Sequence, residues 1–321
     1  MREVRIGQND AGQRLDKFLS KALKNLPQSL LYKSIRTKKI KRNRRRTAPD
    51  EILAEGDTLQ LFLADEFFEG DSRRTPRGLA SVHVKLDVVY EDSEILLLNK
   101  RPGISVHEGE EGDGETLLGQ IRAYLYQKGE YDPEREQSFA PALCNRIDRN
   151  TAGIVIAAKT AQALRTMDEK IRARQLDKRY LCVVHGTPRV REQTLEGYLV
   201  RREGQRTVSV FDTSRAGAKE IRTHYRVLET RGDLSLLEVT LLTGRTHQIR
   251  AHLAHIGHPL LGDGKYGVNR ADRARGYAYQ ALCAYSLTFR FEGAPTHLDY
   301  LSGKTFSIPR EEIYFVKELF S

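Results

Sequence analysis

One stretch, CNRIDRNTAGIVIAAKT at residues 144–160, limits what this chain can fold into more than any other. Its apolar run, residues 153–158, reads as a buried strand, and Arg146, Asp148 and Arg149 crowd the mouth of that strand. Charges are costly to desolvate and normally stay on an outer face. Taken alone, the cluster fits a turn whose Asp caps local amides while its arginines are solvated. A site that needs a carboxylate held among cations is the other reading, and the rest of the chain has to choose between them.

The surrounding sequence carries helix and strand signals in turn. Leu15, Phe18, Leu19, Leu23, Leu26, Leu30, Leu31 and Ile35 recur every three or four residues, which predicts an amphipathic helix broken at Pro27 and a second one after it. Residues 38–63 read as short strands with turns at Asn43, Pro49 and Gly56-Asp57. Residues 1–66 are therefore expected to form a small unit, 67–83 a polar linker, and 84–321 a larger body. Within that body, two β-rich runs flank Asp92-Ser93 and a helix covers TLLGQIRAYLYQKG. After the buried strand comes a helix with Thr160 as N-cap, then the strands KRYLCVVHG and LSLLEVTLLT. THQIRAHLAHIG predicts a helix with Thr246 as N-cap and Gly257 just past its end. ALCAYSLTFRF reads as a further strand and EEIYFVKELF as a closing helix. The body has more strands than simple βα alternation would give.

Charge is placed unevenly. Residues 1–46 hold 15 Lys and Arg against 3 acidic residues, a balance of +12, so the other 275 carry 38 basic against 40 acidic residues, a balance of −2. A basic terminal segment that also has its own apolar core points to a polyanion-binding module rather than a membrane-surface helix. No apolar stretch approaches the roughly 20 residues needed to span a bilayer, and MREVRIGQND lacks the apolar core of a signal peptide. Three scattered cysteines without a C-x-x-C pair argue against a disulfide framework and a zinc ribbon, and a reducing cytoplasm fits.

Other motifs carry less. GDGKYG, residues 262–267, formally matches G-x-G-x-x-G but follows a helix and Pro259, and it reads as a tight turn. His247, His252, His255 and His258 lack a carboxylate or cysteine partner within their helix, so no metal is expected. Cys144 and Cys182 lie beside apolar runs as small core residues. No P-loop, G-x-S-x-G elbow or glycine-rich cofactor loop after an early strand is visible. What remains is a lone Asp between two arginines, the Arg-rich turn TGRTHQIR, and a basic arm. Flanking cations favour the charged form of a carboxylate, which makes it a usable nucleophile.

These residues resemble the RluA-type pseudouridine synthases that carry an N-terminal S4 RNA-binding domain. RIDRNTAG is similar to that family's R-[LI]-D-x-x-T-[SA]-G signature, which implies Asp148 as the nucleophile. KRYLCVVHG resembles its second motif, implying that Tyr180 stacks under the target base. TGRTHQIRAHLAHIGHPLLGDGKYG resembles its third, implying that Arg250 pairs with the catalytic carboxylate, and NKRPGISVH resembles its entry segment. Arg146, Asn145, Arg245 and His247 are the implied substrate-binding residues. Arg14, Lys17, Tyr32, Lys33, Arg36, Lys38, Lys39, Arg44, Arg45 and Arg46 are the implied RNA contacts of the arm. Three positions depart from the family pattern: Asn145 stands where His is usual, Arg101 where Pro is usual, and Cys283 where the late motif has His. The resemblance implies an α+β fold, in which a small αL-type S4 domain precedes a mixed, largely antiparallel sheet flanked by helices. It also implies a monomeric isomerase acting on uridine in structured RNA, ribosomal 23S RNA first, without cofactor or metal. A non-catalytic S4-type RNA-binding protein and a synthase acting on transfer RNA are the competing readings.

Overall fold

The computed structural model describes residues 1–68, 76–106, 116–201, 204–205, 207–267 and 270–321. Its contacts divide it into two units, Met1–Lys85 with Leu118–Ala142 and Ala158–Arg165, and Leu86–Leu117 with Leu143–Ala157 and Thr166–Ser321. The expected linker, 67–83, falls partly outside the described residues (69–75), and a short helix occupies Pro76–Ser81.

In the first unit the hydrophobic spacing of residues 13–36 becomes α1 (Leu15–Ala22) and α2 (Gln28–Arg36), with Pro27 at the start of the second. They accompany a four-stranded sheet of order β1-β4-β2-β3, formed by Arg2–Arg5, Ile40–Arg42, Arg45–Arg46 and Thr58–Leu61 numbered β1 to β4 along the chain. Asn43 and Arg44, at φ 49° and 64°, make the two-residue turn between β2 and β3. Both central residues of such a hairpin turn need positive φ, which Asn tolerates well. Phe18, Leu19, Leu31, Ile35, Ile40 and Leu59 are buried together between helices and sheet. The unit also recruits later chain. Asn9 donates to Glu136 at 2.8 Å and accepts the Ala161 amide at 3.0 Å, and Ser138 donates to Asp10 at 2.6 Å. The remaining elements here are α3 (Pro76–Ser81) and most of α4 (Leu117–Gln127).

The second unit is built on an 11-stranded sheet. Its strands along the chain are β5 (Val88–Glu91), β6 (Ile95–Lys100), β7 (Ala142–Leu143), β8 (Ala152–Ala158), β9 (Leu176–His185) and β10 (Glu192–Val200). They continue with β11 (Ser209–Phe211), β12 (Lys219–Arg231), β13 (Leu234–Leu241), β14 (Leu282–Phe289) and β15 (Thr305–Ser307). The order is β11-β10-β12-β13-β9-β14-β8-β6-β5, with β15 beside β14 and β7 beside β8. Antiparallel pairing prevails from β11 to β14, whereas β14 and β8 run parallel. The helices are α5 (Ala161–Arg172), which begins in the first unit, α6 (Gln248–His255), α7 (Arg270–Ala274) and α8 (Tyr314–Leu319). Thr160 does cap α5, accepting the Ala163 amide at 3.0 Å.

Strand β8 is buried at all seven positions, as its composition predicts. Gly153, its second residue, sits at φ +112°, and a Cβ there would stand 2.3 Å from the Ala284 carbonyl oxygen of β14. Only glycine lets the two backbones approach so closely. Two expectations need correcting. Helix α6 starts one residue later than expected, with His247 rather than Thr246 as its N-cap, because Gln248 closes the turn. Its side-chain oxygen accepts the Arg245 amide at 3.1 Å and the Thr243 hydroxyl at 3.0 Å, leaving His247 in the left-handed region at φ 56°. Cys182 is a core residue, but Cys144 is only half-buried.

Candidate active site

Asp148 lies in the connection between β7 and β8, and that connection is fastened at four places. The Cys144 amide donates to the Ile156 carbonyl at 2.8 Å, and Asn145 accepts the Ile156 amide at 2.7 Å. The Thr151 amide donates to the Asp148 carbonyl at 3.0 Å, closing a tight turn, and the Thr151 hydroxyl accepts from Gln280 at 3.1 Å. The Arg149 carbonyl accepts from the Lys100 ammonium at 2.7 Å and from the Gly103 amide at 3.0 Å. Lys100 is itself 2% exposed and also donates to the carbonyls of Arg101 and Ile104. Burial lowers its pKa to about 8, and the nearby negative charge of Asp148 opposes that fall. An ammonium satisfied by three carbonyls therefore ties the entry segment 100–104 to the residue after Asp148.

Held this way, the Asp148 carboxylate meets Arg250, which α6 projects from its first turn. Arg250 Nη1 donates to Asp148 Oδ2 at 2.7 Å. The other edge of the guanidinium is a fork on Asp263, with Nε to Oδ2 at 2.7 Å and Nη2 to Oδ1 at 2.8 Å. Asp263 is fully buried and also accepts the amides of Lys265 and Tyr266. Burial opposes the charge on both partners. Asp263 and then Asp148 more than offset this for Arg250, whose pKa is raised, and Arg250 with the two amides holds Asp263 below the usual carboxylate range. Two carboxylates thus share one guanidinium, one sealed and one, Asp148, still a quarter exposed.

Tyr180, on β9, is buried beside this pair, and burial first, then the charge of Asp148, raises its phenol pKa. The hydroxyl makes no hydrogen bond among the described residues. His247 Nε2 lies 3.8 Å from Asp148 Oδ2, and burial depresses its pKa to about 4, so the ring is neutral at pH 7. The fold therefore brings together Asp148, Tyr180, Arg250 and His247 from three separate segments. Arg146 and Arg245 are exposed, and their side chains make no hydrogen bond or ion pair among the described residues. Asn145 is committed to the backbone of β8. The other histidines go elsewhere: His252 to Thr223, His255 to Asp212, and His258 to the His185 carbonyl.

In the first unit, Lys17, Lys33, Arg36, Lys38, Lys39, Arg44, Arg45 and Arg46 are exposed and make no ion pair among the described residues. Arg14 forks onto Asp16 at 2.9 and 3.1 Å, and the Tyr32 hydroxyl donates to the same carboxylate at 3.0 Å. Lys100, Asp263 and Tyr266 are the residues that sequence reasoning missed. GDGKYG was recognisable as a turn, and the structure makes it one, but nothing in its spacing shows that Asp263 reaches back to Arg250.

A buried arginine thus bridges a sealed carboxylate to an accessible one, and comparison with known proteins places the chain in one family. The family model for RNA pseudouridylate synthase matches residues 94–255. The chain belongs to the RNA pseudouridylate synthase family. It is accordingly an RNA pseudouridine synthase, an isomerase with an RNA substrate. It is 32% identical over 300 residues to the ribosomal large subunit pseudouridine synthase C of Haemophilus ducreyi, covering 91% of this chain and 88% of that one. It is likewise 32% identical over 271 residues to the Escherichia coli protein of that name, covering 84% and 81%. The solved structure of human RNA pseudouridylate synthase domain containing 4 shares the fold at a TM-score of 0.56 and 20% identity, over 73% of this chain and 92% of the human one. No described helix is long and apolar enough to cross a membrane.

Proposed function

We propose that this synthase isomerises uridine in large-subunit ribosomal RNA, with Asp148 as the nucleophile. The observation that carries the assignment is the Asp263–Arg250–Asp148 chain, which presents one carboxylate in fixed orientation at the mouth of a buried strand. The RNA class rests on the two bacterial relatives, whose names state it. Pseudouridine formation breaks the N1–C1′ bond, turns the uracil and rejoins it through C5. The atoms balance within the nucleoside, so the reaction consumes no cofactor, and we assign the protein none. The target nucleotide leaves its stack at a cost of a few kcal/mol. Stacking on Tyr180 returns roughly 1–3 kcal/mol of that, and exposed Arg146 reaches into the space the base vacates. Residues 1–66 act as an S4-type RNA-binding module through their unpaired cations, and the protein works as a cytoplasmic monomer.

Tritium release from RNA labelled at C5 of uridine tests the assignment. Asp148→Asn should abolish release and leave RNA affinity within a few-fold, because affinity comes mainly from cationic contacts. Residual turnover at a few percent of wild type would remove Asp148 from the nucleophile role. Mapping pseudouridine in ribosomal and transfer RNA from cells lacking the protein identifies the target.

A further inference from the structure

His247 has a second partner whose geometry fixes where its ring proton sits. Its Nδ1 is 2.8 Å from the Tyr266 hydroxyl, and that hydroxyl accepts the backbone amide of Val208 at 2.9 Å. A phenol has one proton to give. With Val208 donating into its oxygen, and no other acceptor for its proton among the described residues, Tyr266 donates to Nδ1. Nδ1 is then an acceptor, and in a neutral imidazole the proton must be on Nε2. The other side of the ring agrees. Nε2 faces Asp148 Oδ2 at 3.8 Å, where an N–H is attracted to the carboxylate and a lone pair would be repelled. Tyr266 is itself fixed, with its ring edge-on to His247 and the Arg250 guanidinium 5.3 Å from its centroid.

We propose that Tyr266 is a positioning residue that locks His247 as the neutral Nε2–H tautomer, and that this N–H donates to a carbonyl oxygen of the flipped uracil. The inference rests on the reading of Asp148 as nucleophile. At 3.8 Å the N–H is too far from Asp148 to be satisfied by it, so it remains free for an acceptor placed next to the carboxylate. Negative charge develops on the uracil carbonyl oxygens whether the carboxylate attacks C1′ or C6, since the base takes up the electron pair in either case. A fixed neutral donor stabilises that charge without protonating the base and losing its own proton. Burial of His247, with Arg250 and Lys265 nearby, outweighs the opposing pull of Asp148 and Asp263 and keeps the ring from becoming a cation that would compete with Arg250 for Asp148.

Two-bond 1H–15N correlation spectra of protein labelled with 15N-histidine read the tautomer directly, with the His247 signals assigned by their loss in His247→Gln. At neutral pH the wild type should show the Nε2–H pattern alone, and Tyr266→Phe should show a mixture. An Nδ1–H or imidazolium pattern in the wild type overturns the proposal, as does an unchanged pattern in Tyr266→Phe. Single-turnover kinetics test the donor. His247→Ala should lose on the order of 10²-fold in the chemical step with RNA affinity preserved. His247→Gln, which keeps an N–H near the Nε2 position, should recover part of that rate, and equal rates for Ala and Gln count against the donor. The spectra need no turnover, so failure of the Asp148→Asn test would leave the tautomer result standing and remove only its use.

Discussion

Arg250 is held at both edges of its guanidinium, and Asp263 determines where the edge facing Asp148 points. Asp263→Asn keeps the shape of that partner and removes its charge, leaving a buried arginine short of one counterion. Breaking a buried pair from one side costs about 3–5 kcal/mol, and the amide's remaining acceptor oxygen should keep the loss toward the lower end. Urea unfolding should show that loss, and single-turnover rates should fall because the free edge no longer fixes Asp148. A variant with wild-type stability and rate would mean that Arg250 is held by its helix alone. Asp148, Tyr180 and Arg250 were legible in the sequence because each stands inside a recognisable motif. Asp263 was not, since a fork across 13 positions depends on how the chain returns after α6, and no periodicity encodes that return.

Strand β8 shows how an element can be legible in outline and hidden in its critical detail. Its uniform apolar composition predicted burial, and burial at every position followed. Its parallel pairing with β14, across Ala284 and Gly153, was not predictable because the partner lies over a hundred residues away. That pairing makes Gly153→Ala a severe change, since the added carbon would overlap the Ala284 carbonyl and the φ of +112° disfavours any side chain. The loss should exceed the roughly 0.4–1 kcal/mol that a Gly-to-Ala change adds at a compatible position, with a lowered Tm and with activity lost along with folded protein. Wild-type Tm for this variant would show that β8 and β14 can separate without penalty. Helix α6 missed its expected start for a local reason: a glutamine side chain, rather than a threonine hydroxyl, closes the preceding turn.

Across the whole molecule the charge is concentrated where the sequence showed it, with +12 in residues 1–46 against −2 in the rest. The division into 1–66, 67–83 and 84–321 did not foresee the bonds from Asn9 and Asp10 to residues 136, 138 and 161, because hydrogen bonds between distant segments leave no trace in composition. Truncation would break those bonds, so neutralising side chains is the cleaner perturbation. Replacing Lys33, Arg36, Lys38 and Lys39 with Gln should flatten the log–log dependence of RNA affinity on salt by up to about 0.7 per residue. Titrations across a salt series measure it, and identical slopes would remove these four residues from the RNA contact. The same imbalance bears on how the protein searches. If residues 1–46 supply the attraction to RNA, as proposed, that attraction is indifferent to base sequence and weakens as salt rises, so dwell times on wrong and right sites would differ little until a base leaves its stack. On the proposed role of Asp148, choice among uridines would then depend on which nucleotide can be turned out toward that carboxylate within one brief visit.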